Sequence, residues 1–188
     1  ENGAFLLAVL APMCLGMALT ARNLAFVCVG VKFRASVAEL TPWMAAGGFF
    51  MNVRSFYLDS AFQLGHRPGL QAWVTALTAA ISLGLGFVLI PRLGPLGAAI
   101  SVTFAMAISC CFAAVAGRWA YPMQFPIHAA ARVFLSCLPM VVVVLAVPGT
   151  GWKALLLQVL IGAAAYTTTA FAVDLLGARS RFVSRFSR

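Results

Sequence analysis

Arg54, Asp59 and Asp174 are charges set within otherwise apolar stretches of this chain. If those stretches lie in lipid, each charge needs a reason to be there. An arginine at the centre of a bilayer costs about 2.5–3.5 kcal/mol on insertion scales. Arg54 therefore either snorkels to the interface or serves as a cavity cation that holds an anionic headgroup. Asp59 and Asp174 are the two deep acids, and so the candidate ion-coupling residues. Asp174 either pairs with Arg179 or Arg181 or belongs to a proton or ion relay. Advancing 100° per residue, Thr41, Gly48, Asn52, Ser55, Asp59, Gln63 and His66 fall on one narrow arc of their helix. Such a stripe is either glue between helices or the lining of a wet cavity. On the same wheel Arg54 falls on the opposite face from Asp59, within reach of Phe50 and Tyr57.

Other chemistry is not legible. His66 and His128 lie near loops, and no carboxylate pair or Ser–His–Asp arrangement accompanies them. A phosphate-cradling GxxxxGK[ST] is absent, so ATP hydrolysis by that route is excluded. The five cysteines, Cys14, Cys28, Cys110, Cys111 and Cys137, have no metal-ligand spacing and read as free thiols. The expectation is a protein that is not an enzyme and carries no cofactor.

The elements that must position these residues are membrane helices. Of 188 residues 63% are hydrophobic and 9% charged, with a mean hydropathy of +0.99. Soluble domains carry about a quarter charged residues, so lipid must be the solvent for most of this surface. At about 20 apolar residues per crossing, the chain holds six segments. They are expected at about 3–20, 37–57 (its helix running on towards Gln63), 70–90, 95–117, 129–147 and 152–176. Together they form a six-helix transmembrane lobe over 1–176, followed by a basic tail at 177–188. Pro12 is expected to kink the first segment, and Pro91 to end the third. Gln71, Thr75, Thr78, Ser82 and Gly86 form a stripe on the third. On the fourth, Gly97, Ser101, Ala105, Ser109 and Ala113 recur every four residues, a spacing that lets helices pack closely. The long Ala-, Leu- and Gly-rich runs lack the alternation of a membrane barrel, so the fold class is all-α and polytopic.

The net charge is +9. The cations sit between apolar runs and in the tail, as Arg179, Arg181, Arg185 and Arg188, rather than in a phosphate-binding patch, so no nucleic acid is expected as partner. The basic tail puts the C-terminus in the cytoplasm, with Arg67, Arg118 and Arg132 on that side. Arg22, Lys32, Arg34, Arg92 and Lys153 then face the other way. The chain opens without Met and without a signal peptide, and is expected to be a piece of a longer polypeptide.

Three stretches carry a family resemblance. Ser60-Ala61-Phe62-Gln63-Leu64-Gly65-His66-Arg67-Pro68 looks like a short basic loop between helices. Gly86-Phe87-Val88-Leu89-Ile90-Pro91 with Gly94-Pro95-Leu96-Gly97-Ala98-Ala99-Ile100-Ser101 is similar to the "LIPxxGxxGAAxAT" corner. Val29-Gly30-Val31-Lys32-Phe33 resembles an "LG..F" connection. All three resemble the polysaccharide-repeat-unit (O-antigen/exopolysaccharide) flippase family of the multidrug/oligosaccharidyl-lipid/polysaccharide exporter superfamily. The resemblance implies the C-terminal lobe of a fourteen-helix exporter in the bacterial inner membrane. It implies alternating access around a cationic cavity, with undecaprenyl-pyrophosphate-linked oligosaccharide as substrate and membrane lipid around it. A polysaccharide polymerase or glycosyltransferases would be further partners. In that setting Arg54 and Arg67 are the candidate substrate-binding cations, supported by Asn52, Asp59 and His66. Two alternatives stand beside it: a cation-coupled multidrug or small-molecule antiporter of the same superfamily, and a non-transport membrane scaffold or cell-envelope enzyme.

Overall fold

A computed structural model of the chain describes residues 2–120 and 127–172. Among them there is no strand. The helices are α1 (Asn2–Leu19), α2 (Ala21–Cys28), α3 (Arg34–Val53), α4 (Asp59–Leu64), α5 (Pro68–Leu93), α6 (Pro95–Ala120), α7 (Ile127–Ala146) and α8 (Trp152–Ala172). A 3-10 turn at Val31–Phe33 leads into α3, and a π-helical turn at Arg54–Leu58 joins α3 to α4. Of these, α5, α6 and α8 are long and apolar enough to cross a membrane, and α1 with α2 makes a fourth if that bent pair counts as one span. Trp73, Phe87, Trp119 and Leu160 are among many large apolar side chains left exposed. A water-soluble monomer does not carry apolar surface on that scale; a chain embedded in lipid does.

Two compact units make up the described residues. The first is discontinuous in sequence: α1, α2, the 3-10 turn and the start of α3 as far as Ala35 pack with α7 and α8. Small residues let its helices approach. A methyl group on Gly16 would sit 3.0 Å from Met140 Cε, and one on Gly162 2.9 Å from Val144 Cγ2. Pro12 lies inside α1 and has no N–H to give the Ala8 carbonyl four residues back. The Tyr166 hydroxyl of α8 donates to that carbonyl instead, at 2.6 Å. In the same unit the Thr169 hydroxyl of α8 donates to the Ser136 carbonyl of α7, at 3.0 Å. The sharp bend in this unit falls at Thr20, where α2 turns 68° away from α1. The sequence places the kink at Pro12; the break comes where Thr20 donates back to the Gly16 carbonyl and α1 ends.

The second unit is continuous, from Ser36 through α6. Its core is Phe62, Val74 and Ala113, with Leu58, Leu70 and Ala116 packed around them. All five small residues of the α6 stripe, Gly97, Ser101, Ala105, Ser109 and Ala113, are buried. Pro91 does not end α5, contrary to the sequence expectation: the helix runs on to Leu93, because proline costs only its own hydrogen bond there. Gly94 makes the stop, with φ 59° and ψ −137°, a conformation open to glycine. At this corner Gly97 comes so close to Leu89 that a Cβ would overlap the Leu89 carbonyl.

Candidate functional site

The helical path from Arg34 to Leu64 is unbroken, as the sequence suggests for the stretch beyond Tyr57, but it is not α-helical throughout. At Arg54–Leu58 it widens into a π-turn, and the Asp59 N–H donates to the Arg54 carbonyl five residues back. This overturns the placement of Arg54 and Asp59 on opposite faces. In a regular α-helix residues five apart point about 140° apart. The wider π-turn carries one more residue per turn, so Arg54 and Asp59 come onto the same face. Arg54 Nε lies 3.5 Å from Asp59 Oδ1. Both residues are 7% exposed.

Three of the guanidinium's N–H donors reach hydroxyls of α5 and α6, while Nε and Asp59 Oδ1 are buried and make the ion pair without a hydrogen bond. Nη1 donates to Ser109 Oγ at 2.7 Å and to Thr78 Oγ1 at 3.2 Å, and Nη2 donates to Thr75 Oγ1. The Thr78 and Ser109 hydroxyls are 2.6 Å apart. One turn before the π-turn, the Cys110 thiol of α6 donates to the Phe50 carbonyl. Further along the same two helices Thr103 Oγ1 donates to the Trp43 carbonyl at 2.8 Å, where Gly47 leaves room for it. The arrangement is a buried cation held by one carboxylate and a ring of hydroxyls. Because Thr75 is itself exposed, Arg54 lies one side chain beneath the surface of this unit. Chemically it can keep a positive charge in reserve and release it if Asp59 is neutralised or outcompeted.

The other expected site residues fall elsewhere. Asn52 is half-buried, and its amide donates to the Gly48 carbonyl of its own helix at 2.7 Å. His66 and Arg67 are exposed in the turn after α4. There the His66 N–H donates to the Gln63 carbonyl and the Arg67 N–H to the Phe62 carbonyl, with His66 at φ 52°. That is a helix-ending motif in which glycine is the usual occupant. The polar stripe is split by the π-turn: Asp59 is buried, while Ser55, Gln63 and His66 are exposed. Asp174 and the tail, with Arg179 and Arg181, lie outside the described residues, as does the side chain of His128.

Sequence reasoning missed the pairing of Arg54 with Asp59 and the part Ser109 plays in it. A signal existed. A buried arginine requires a partner, and the nearest acid on its own helix is Asp59. That demand, set against the five-residue spacing, points to a widened turn. Comparison with protein-family models, with curated proteins and with solved structures gives no match.

Proposed function

We propose that this chain is part of a transporter that moves undecaprenyl-pyrophosphate-linked oligosaccharide across the bacterial inner membrane by alternating access. In this reading it supplies six membrane-crossing helices resembling the C-terminal lobe of a fourteen-helix exporter, with the C-terminus cytoplasmic. The observation that carries the proposal is the buried Arg54–Asp59 pair at the π-turn, in a chain whose apolar helices suit a membrane. A pyrophosphate headgroup that leaves water needs cations, while its lipid tail can stay in the bilayer. An arginine held by a single carboxylate at 3.5 Å and by neutral hydroxyls is a cation that such a headgroup can compete for. Arg67 and His66, exposed at the end of α4, suit a first encounter with the headgroup.

A cation-coupled antiporter is the second reading. It is favoured by Asp59, a buried carboxylate placed to exchange Arg54 for a small cation. The two readings separate in one experiment. The chain in nanodiscs is titrated with a fluorescent undecaprenyl-pyrophosphate-linked oligosaccharide, and separately with a lipophilic cationic dye. Saturable glycolipid binding is expected. Arg54→Gln should weaken it about tenfold or more, roughly 1.4 kcal/mol, and Asp59→Asn should tighten it by freeing the arginine. Glycolipid binding unchanged in Arg54→Gln removes Arg54 from the site. Dye binding that depends on Asp59, without glycolipid binding, replaces the first reading with the second.

A further inference from the structure

The segment between α1 and α3 carries charge and exposed apolar side chains on a short helix that runs crosswise to α1. With 18 residues, α1 is about 27 Å long, close to the ~30 Å of a hydrocarbon core. The eight residues of α2 add about 12 Å of helix, but at 68° to α1 only about 4–5 Å of that lies along α1's axis. Ala21, Asn23 and Ala25 are buried, and the Asn23 amide donates to Gln158 Oε1 of α8 at 2.7 Å. Arg22, Phe26 and Val27 are exposed. The 3-10 turn continues that surface with Val31, 78% exposed, Lys32, and Phe33, 60% exposed. Arg34 folds back over it: its guanidinium lies 4.1 Å from the centre of the Phe26 ring, and its Nε donates to the Val29 carbonyl. From Asn2 to Ala35 the chain has three cations, Arg22, Lys32 and Arg34, and no acid.

We infer that α2 and the 3-10 turn form an interfacial element that docks onto anionic phospholipid, with Phe26, Val27, Val31 and Phe33 in the acyl boundary and Arg22 and Lys32 among the headgroups. Apolar side chains beside the exposed cations Arg22 and Lys32, on a short helix running crosswise to α1, match what an anionic bilayer surface binds. Zwitterionic lipid would satisfy the apolar side chains but not the three cations. The inference does not depend on what the chain transports.

The test uses the whole chain. Native mass spectrometry counts phosphatidylglycerol and phosphatidylcholine retained from mixed micelles. A nitroxide at Val31→Cys, with the exposed thiols Cys28 and Cys111 replaced by alanine, reports depth by its collisions with oxygen and with a water-soluble nickel chelate. Phosphatidylglycerol should be retained in preference. The Arg22→Gln/Lys32→Gln variant should lose that preference by about fivefold per cation removed, while Arg22→Lys/Lys32→Arg keeps it. The nitroxide should sit at headgroup depth. Equal retention of the two lipids, a preference that survives removal of both cations, or its loss in the charge-preserving variant would overturn the inference. So would a nitroxide at the bilayer centre, the mark of a continuous bent span, or one in bulk water. The depth reading needs none of the charge variants to fold.

Discussion

Backbone groups freed inside an apolar helix need a partner from elsewhere in the protein, because lipid offers none. The Ala8 carbonyl shows the point. Pro12 leaves it without its helical donor, and the Tyr166 hydroxyl fills the vacancy from a helix 158 positions away in sequence. Tyr166→Phe should therefore destabilise the protein by about 1–3 kcal/mol. In a Pro12→Ala background the same change should cost little, since residue 12 then supplies the N–H. Unfolding by denaturant in detergent micelles measures all four corners of this cycle. A Tyr166→Phe cost that is equal in both backgrounds would show that the hydroxyl does not answer the proline. Asn23 Oδ1 is a contrasting case: it is buried and has no hydrogen-bond partner, although its amide group is bonded to Gln158.

At the scale of elements, the corner between α5 and α6 is the most constrained backbone in the second unit. Gly97→Ala should cost about 1–3 kcal/mol, because the added methyl overlaps the Leu89 carbonyl and a backbone atom cannot rotate away. Gly84→Ala, where nothing lies within 4 Å of the new methyl, should be neutral or stabilising and serves as the control. Equal melting temperatures for the two variants would refute the close approach. This corner was readable in advance, since Gly94, Pro95 and Gly97 announce a turn followed by tight packing, and so was the buried stripe that runs from Gly97 to Ala113. The π-turn was legible only through the demand of Arg54 for a partner, not through the helical wheel. A helical wheel assumes 100° at every step, so it carried Arg54 away from Asp59 and aligned Ser55, Gln63 and His66 with Asp59. The direction of α2 was not readable: only the bend at Thr20 shows which way it runs.

For the molecule as a whole, the question is how many times it crosses the bilayer. Composition points to six crossings, whereas length and apolarity alone qualify three helices, or four with the bent pair. Thr41, Asn52, Arg54 and Asp59 lower the apolarity of the path from α3 to α4, and of these Arg54 and Asp59 make the buried pair. Between Arg67 and Lys153 lie α5, α6 and α7, so if all three cross, as six crossings require, the two residues lie on opposite sides of the membrane. Arg67→Cys and Lys153→Cys, each in a background without the exposed Cys28 and Cys111, should then react with an impermeant maleimide from opposite faces of sealed vesicles. Labelling of both from one face would refute six crossings. The π-turn bears on this larger scale too. One residue added to an ordinary helix swings everything after it by about 100°, which would pull Phe62 of α4 away from Val74 and Ala113. The wide turn absorbs the surplus residue locally. A chain one residue shorter between Arg54 and Asp59 would hold the two charges four apart in a plain α-helix, still side by side, with α4 in its present seat.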